Sequence, residues 1–221
     1  MAIKAAIFDL DGTLVDSLAD IGGAMNHALA YHGLPTHTLA AYREFVGEGV
    51  HRLAEKALSP AGLAHKDTVL DEYKRYYADN LFLRTRPYPG IEELLEGLTA
   101  RGVALGVLSN KPDPSTRRLV EHFFSRFPVR AAHGERPGVP KKPDPTAALE
   151  IARVMGVQPA ECMFIGDTGI DMGTATAAGM VAVGVLWGFR GEAELRAHGA
   201  RFLARNPGEI LTLTHPDASF A

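Results

Sequence analysis

Four short runs of apolar residues recur along the chain, and they constrain its fold more than any other feature. Ile3 to Phe8, "GVALGVLSN" (102–110), "CMFIGD" (162–167) and "MVAVGVLW" (180–187) are nearly continuous in hydrophobic side chains. Such runs read as strands covered on both faces, because a sheet with one wet face would alternate apolar and polar residues. Helical spacing lies between them. Ile91, Leu94, Leu95 and Leu98 share one helical face, and Ala147, Ala148, Ile151 and Val154 to Met155 share another. "GIDMGTATAAG" ends at Gly179, a helix stop. Strand alternating with helix predicts an α/β fold built on a parallel sheet.

The stretch from about Leu18 to about Leu83 departs from that order. Leu18, Ile21, Met25 and Ala28 to Leu29 lie at helical spacing; so do Val50, Leu53, Ala54, Ala57 and Leu58, and then Val69, Tyr73, Tyr76 and Tyr77, with no buried strand among them. A helical insertion is expected. "VDSLAD" would lead out to it, and "RPYPG" (86–90) would bring the chain back to the sheet. The expected division is a sheet-bearing core of residues 1–15 and 85–221 with an inserted α-helical domain of residues 16–84, joined by two short connections that let the insertion hinge as a lid. The tyrosines are expected to pack inside the insertion, and Asp16 to start its first helix.

Composition narrows the class of ligand. The chain has 221 residues, of which 46% are hydrophobic, and its 23 Lys and Arg against 26 Asp and Glu leave a formal charge of −3. That balance carries no electrostatic footprint for nucleic acid or an anionic membrane, so a small molecule is the expected partner. The single Cys162 has no internal partner for a disulfide and is expected in the core; the nine His residues show no paired spacing for zinc. "MAIKAAIF" is too short an apolar run for a signal peptide, and no stretch has the length of a membrane span. A cytoplasmic monomer or homodimer is expected.

Ligands of open parallel sheets collect beyond the carboxyl ends of the strands. The residues that follow the apolar runs are polar there: Asp9 and Asp11 after the first; Ser109, Asn110 and Lys111 after the second; Asp167, and Asp171 one turn later, after the third. "KKPDP" (141–145) adds two lysines before a helix. One such Asp is usually a cap or turn residue, but several strand ends sharing this character point to a site. Asp9 with Asp167 or Asp171 supplies hard oxygen ligands suited to Mg²⁺. Ser109 offers a hydroxyl, backbone N–H groups near Asn110 meet phosphate oxygens, and Lys142 places positive charge beside a nucleophilic carboxylate. Asp9 and Asp11, two apart on an extended chain and followed by Gly12, face the same way. One would attack phosphorus while the other protonates the leaving oxygen and then activates water.

"DLDGTLVDS", "VLSNK", "KKPDP" and "GDTGIDM" resemble, in order, the four motifs of the haloacid dehalogenase superfamily, and the helical insertion resembles that family's small α-helical cap. The resemblance implies a Rossmann-like core. "GDTGIDM" and "GVLWGFRGEAEL" (184–195) bring the chain nearest to the phosphoglycolate phosphatase type. It implies that Asp9 is the nucleophile, forming an aspartyl-phosphate, and Asp11 the general acid and base. Thr13 would orient the loop, Ser109 and Asn110 would bind the phosphoryl group, and Lys142 rather than Lys141 would neutralise it. Magnesium would be held by Asp9, the Asp11 backbone carbonyl and Asp167, with Asp171 acting directly or through water.

The implied function is Mg²⁺-dependent hydrolysis of a small organic phosphomonoester, with 2-phosphoglycolate the leading candidate. Asp11 argues against a dehalogenase or phosphonate hydrolase of the family. Pyrophosphatases and sugar-phosphate phosphatases or mutases are alternatives within it, and a phospho-acceptor or phosphate sensor is the non-enzymatic alternative. In the cap, "EFVGEGVHRL" (44–53) carries Gly47 and Gly49, so a loop over the site is expected to bring His51 or Arg52 to the non-phosphate end of the substrate.

Overall fold

In a computed structural model that describes residues 2–214, β1 (Ala5–Phe8) lies at the centre of a six-stranded sheet. β4 (Ala104–Pro112) and then β5 (Val129–Glu135) flank it on one side. On the other side come β6 (Cys162–Gly166), β7 (Val181–Val185) and β8 (Phe202–Ala204). All neighbouring pairs in this sheet are parallel. The fold is the α/β, Rossmann-like type expected, with the four apolar runs forming β1, β4, β6 and β7.

Alternation along β1 divides the core into two layers. Ala6 and Phe8 face a cluster with Leu94, Leu95 and Leu98 of α5 (Ile91–Ala100), Leu119 and Phe124 of α6 (Asp113–Phe124) and Ile210 of α10 (Pro207–Thr212). Ala5 and Ile7 face Ala148 and Ile151 of α7 (Thr146–Met155), Met172 and Ala175 of α8 (Gly169–Ala178) and Leu195 of α9 (Glu192–Ala197). Each fully buried Leu, Ile, Phe or Met among these contributes about 1.5–3 kcal/mol, and each Ala less. β5 and β8 carry no continuous apolar run, because they are edge strands: β5 reads VRAAHGE and is only partly buried, and β8 spans three residues. Edge strands need neither two covered faces nor length, so their sequence signal is weak.

Four helices come from the insertion: α1 (Leu18–Tyr31), α2 (Leu39–Phe45), α3 (Val50–Ala57) and α4 (Lys66–Asp79). Their buried residues Met25, Leu29, Tyr42, Leu53 and Tyr73 are continuous, through Leu10, Leu14 and Ile21, with the Phe8 face of the sheet. The chain leaves and returns through an antiparallel ribbon, β2 (Val15–Asp16) against β3 (Arg86–Pro87). Asp16 therefore sits in the ribbon, exposed, and Ser17 occupies the N-cap of α1. Asp20, buried in the first turn of α1, accepts hydrogen bonds from the backbone N–H groups of Arg84 and Thr85 and from the Thr85 hydroxyl, tying the two crossings together. No described helix is long and apolar enough to cross a membrane.

Candidate active site

Strand order reverses direction at β1, with β4 to one side and β6 to the other, which opens a crevice beyond its carboxyl end. Asp9 leaves β1 with its N–H bonded to the Ile165 carbonyl at 2.8 Å. The chain then folds into a tight turn in which the N–H groups of Leu14 and Val15 both reach the Leu10 carbonyl at 3.0 Å. Gly12 makes this turn possible at φ 88°, a left-handed conformation that disfavours any side chain. A Cβ there would also collide with the Asp167 carboxylate.

Asp9, Asp167 and Asp171 converge from two strand ends and the start of α8. They are buried, and each offers an oxygen within 4.8 Å of the others. Burial, together with the neighbouring Asp171 and Asp11 and despite Lys142, pushes the Asp9 carboxyl up to about 7. Burial also pushes Asp167 well above the usual carboxylate range, with Asp171 and Asp9 adding to it. Lys142 answers part of this charge, its Nζ lying 2.8 Å from Asp9 Oδ1 and 2.7 Å from Asp171 Oδ1. Burial opposes the Lys142 ammonium, but the carboxylates of Asp171 and Asp9 outweigh it and its pKa rises.

Each acid is oriented differently. Asp167 Oδ1 accepts from the Thr13 hydroxyl at 3.1 Å and Oδ2 from the Phe189 N–H at 2.8 Å. Asp171 Oδ2 accepts from the Thr168 N–H at 3.0 Å and hydroxyl at 2.7 Å in a reciprocal cap of α8. Asp9 Oδ1 is buried and accepts no aligned hydrogen bond, although Lys142 stands at ion-pair distance. Three converging buried carboxylates that share a single ammonium fit a divalent cation.

Asp11 stands apart from that triad. Its two oxygens each lie 2.9 Å from Lys111 Nζ, and Oδ1 accepts from the Ser17 hydroxyl at 2.5 Å. Lys111 is 7% exposed, and its ammonium sits 4.7 Å from the centre of the Tyr77 ring. Sequence reasoning placed Lys111 at a strand end without giving it a role. The period of two was a weak signal here: β4 continues through Pro112, but its register against β5 shifts between Leu108 and Pro112, and Ser109, Asn110 and Lys111 all line the same cavity. Asn110 bonds backbone, its Oδ1 accepting from Lys142 N–H at 2.9 Å and its Nδ2 donating to Lys142 O and Gly47 O at 3.1 and 3.2 Å. The Ser109 Oγ accepts from the Lys111 N–H at 3.2 Å, leaving its own O–H to donate.

A cavity of about 50 Å³ lies between the helical insertion and the strand ends, lined by Asp9, Asp11, Ser109, Lys111 and Tyr73 among others, with Gly47 and Gly49 also in its lining. His51 and Arg52 do not line it. In α3 the buried positions are Val50, Leu53, Ala54 and Ala57, so residues 51 and 52 fall on the outer face. Arg52 pairs there with Glu55 at 2.9 Å and Glu48 at 3.8 Å. Lys141 lies half outside, 3.5 Å from Glu135. Cys162 is buried at the start of β6, and burial pushes its thiol up to about 11.

The sequence model of the haloacid dehalogenase-like hydrolases matches residues 3–179. The chain belongs to this family. A phosphoglycolate phosphatase of Rhodospirillum rubrum is 35% identical over 197 residues, covering 86% of this chain and 82% of that protein. One from Aquifex aeolicus is 29% identical and spans 96% of both. A crystal structure from Lactobacillus delbrueckii subsp. bulgaricus, provisionally assigned as a phosphoglycolate phosphatase, superposes with a TM-score of 0.90 at 32% identity, covering 98% of this chain and all of that one. Like other haloacid dehalogenase-type phosphatases, this protein is a phosphoric monoester hydrolase.

Proposed function

We propose that the protein is a Mg²⁺-dependent phosphatase acting on a small phosphomonoester, 2-phosphoglycolate in the first place, through an aspartyl-phosphate on Asp9. One observation carries this reading: two carboxylates only two residues apart occupy separate electrostatic settings. Asp9 faces Lys142 and the acidic triad, whereas Asp11 is held by Lys111 and Ser17. Paired carboxylates with different surroundings can divide into nucleophile and acid/base. The likeness to the R. rubrum phosphoglycolate phosphatase supports the substrate, and the cavity of about 50 Å³ suits a leaving group of a few atoms.

In this mechanism an Asp9 oxygen bonds to phosphorus as the bond from phosphorus to the ester oxygen breaks. Asp11 delivers its proton to that oxygen. A water then attacks phosphorus, Asp11 takes the proton, and the Asp9 carboxylate is released. The Ser109 hydroxyl and backbone N–H groups near Asn110 hold the phosphoryl oxygens, and Lys142 balances charge at Asp9. Asn110 also locks the Lys142 backbone in place. Asp9, Asp167 and the Asp11 carbonyl would hold Mg²⁺, with Asp171 direct or through water, and the ion would offset phosphoryl charge. Thr13 and Phe189 N–H keep Asp167 aimed inward. Residues 16–84 act as the cap, excluding bulk water over the cavity.

Phosphate release from 2-phosphoglycolate, pyrophosphate, sugar phosphates and nucleotides, compared as kcat/KM, tests the reading. The expected result is a preference for 2-phosphoglycolate, abolished by chelation of Mg²⁺. Asp9→Asn should lower turnover by at least about a thousandfold. Full activity in that variant, or no hydrolysis of any ester by the wild type, would overturn the proposal.

A further inference from the structure

The cavity beneath the cap has an uneven lining. Ile21, Val46, Val50 and Leu53 make an apolar wall contributed by the cap. Asp9 and Asp11 bring negative charge, and Lys111 is the only positively charged side chain among the described residues that line the space. Lys142 does not line the space and its ammonium is shared between two carboxylates, Asp9 and Asp171, whereas Lys111 meets the carboxylate of Asp11. Tyr73 also lines the cavity. It is 5% exposed, and its hydroxyl has no hydrogen-bond partner among the described residues, although its ring stacks on Tyr77 at 5.3 Å. A tyrosine hydroxyl at the wall of a cavity, with no protein group to bond, is free to donate to a ligand there.

We propose that Lys111 and the Tyr73 hydroxyl form a subsite for a carboxylate on the leaving group, making Lys111 the residue that selects anionic, short-chain substrates. The inference rests on the phosphatase reading above and names what its leaving-group end recognises. The Lys111 ammonium lies 2.9 Å from both oxygens of Asp11. Any ester oxygen in hydrogen-bonding contact with Asp11 is therefore within about 6 Å of that ammonium, taking a usual contact of about 2.7 Å. In 2-phosphoglycolate the carboxyl carbon is only two bonds from the ester oxygen, so the carboxylate falls beside Lys111. Without that cation it would lie next to Asp11 and an apolar wall, where an unpaired anion is strongly disfavoured. With it, the anion gains a charge-assisted hydrogen bond and a further donor from Tyr73. The single cation also selects against a second phosphoryl group, which brings more charge and bulk than one ammonium in about 50 Å³ can accommodate.

The test compares 2-phosphoglycolate with ethyl phosphate, which replaces the carboxylate by a methyl group of similar reach. Lys111→Met lowers kcat/KM for both esters, because Lys111 also holds Asp11. The decisive quantity is the ratio of the two kcat/KM values. A lost charge-assisted hydrogen bond of about 1.5–3 kcal/mol corresponds to a fall in that ratio of about 10- to 150-fold. Tyr73→Phe, which leaves the ion pair intact, should lower the ratio by a few fold. Glycolate should inhibit the wild type competitively and lose that effect in Lys111→Met. A ratio that does not move in either variant, or a wild type that handles both esters equally, would sink the carboxylate subsite while leaving the phosphatase standing. No phosphate release from any ester would instead remove the phosphatase reading itself. Circular dichroism checks folding of the variants, and should Lys111→Met not fold, Tyr73→Phe and wild-type inhibition by glycolate but not ethanol still decide.

Discussion

Asp9 and Asp11 are neighbours in sequence, yet the structure separates their surroundings, and that separation depends on two lysines supplied from elsewhere in the chain. Lys142 joins Asp9 to Asp171, while Lys111 takes Asp11. Removing one partner from a buried ionic cluster leaves charge uncompensated. Lys142→Met is therefore expected to cost about 3–5 kcal/mol of stability in the absence of a divalent cation, measured by urea unfolding, and added Mg²⁺ should recover part of it. Gly12 is the second sensitive point. Gly12→Ala forces a side chain into φ 88° and against Asp167. The strained backbone alone costs on the order of 1–3 kcal/mol, and displacement of Asp167 should weaken Mg²⁺ activation; a variant with unchanged Mg²⁺ dependence and stability would contradict this reading of the turn.

At the scale of elements, the helical insertion is tied to the loop after β7 by a reciprocal clasp of arginines. Arg43 of α2 donates to the carbonyls of Phe189 (3.0 Å) and Gly188, and Arg190 donates back to those of Val46 (3.0 Å), Glu44 (3.3 Å) and Arg43. The loop that receives Arg43 is the one whose Phe189 N–H holds Asp167. The placement of α2 and the geometry of the site are thereby linked through one short segment. Arg43→Ala and Arg190→Ala are each expected to lower kcat/KM, the pair together by about tenfold. Because both act across one junction they should be non-additive, with a coupling of about 0.5–3 kcal/mol in a double-mutant cycle. Strict additivity would mean that the two arginines work independently.

For the whole molecule, the raised carboxyls make stability depend on pH and cation together. Asp9 ionises near 3.8 in an unfolded chain but near 7 in the cation-free fold, and Asp167 is shifted the same way. Between those values the folded state holds protons that the unfolded state has lost. The cation-free protein should accordingly lose stability as pH rises from about 4 to about 7. A divalent cation competes with those protons, so the gain in Tm from added Mg²⁺ should be larger at about pH 8 than at about pH 5. Thermal unfolding with and without Mg²⁺ across this range checks both signs, and a Mg²⁺ effect that shrinks with rising pH would refute the ligand assignment.

Much of this was legible in the chain itself. The strands that are buried on both faces, β1, β4, β6 and β7, announce themselves because such burial demands continuous apolar sequence; the edge strands β5 and β8 do not, because it is not demanded of them. The acids after β1 and β6, and the lysine before Pro143, could be read as one site because parallel strands end on the same side of a sheet. Tertiary structure decided the rest. Whether Lys111 points toward Asp11 depended on the register shift near the end of β4, and whether His51 and Arg52 face the cavity depended on the rotation of α3. Those are matters of a single residue's phase on a strand or helix. A local pattern shows that an element has a buried face, but which neighbour that face meets is settled only when the elements pack.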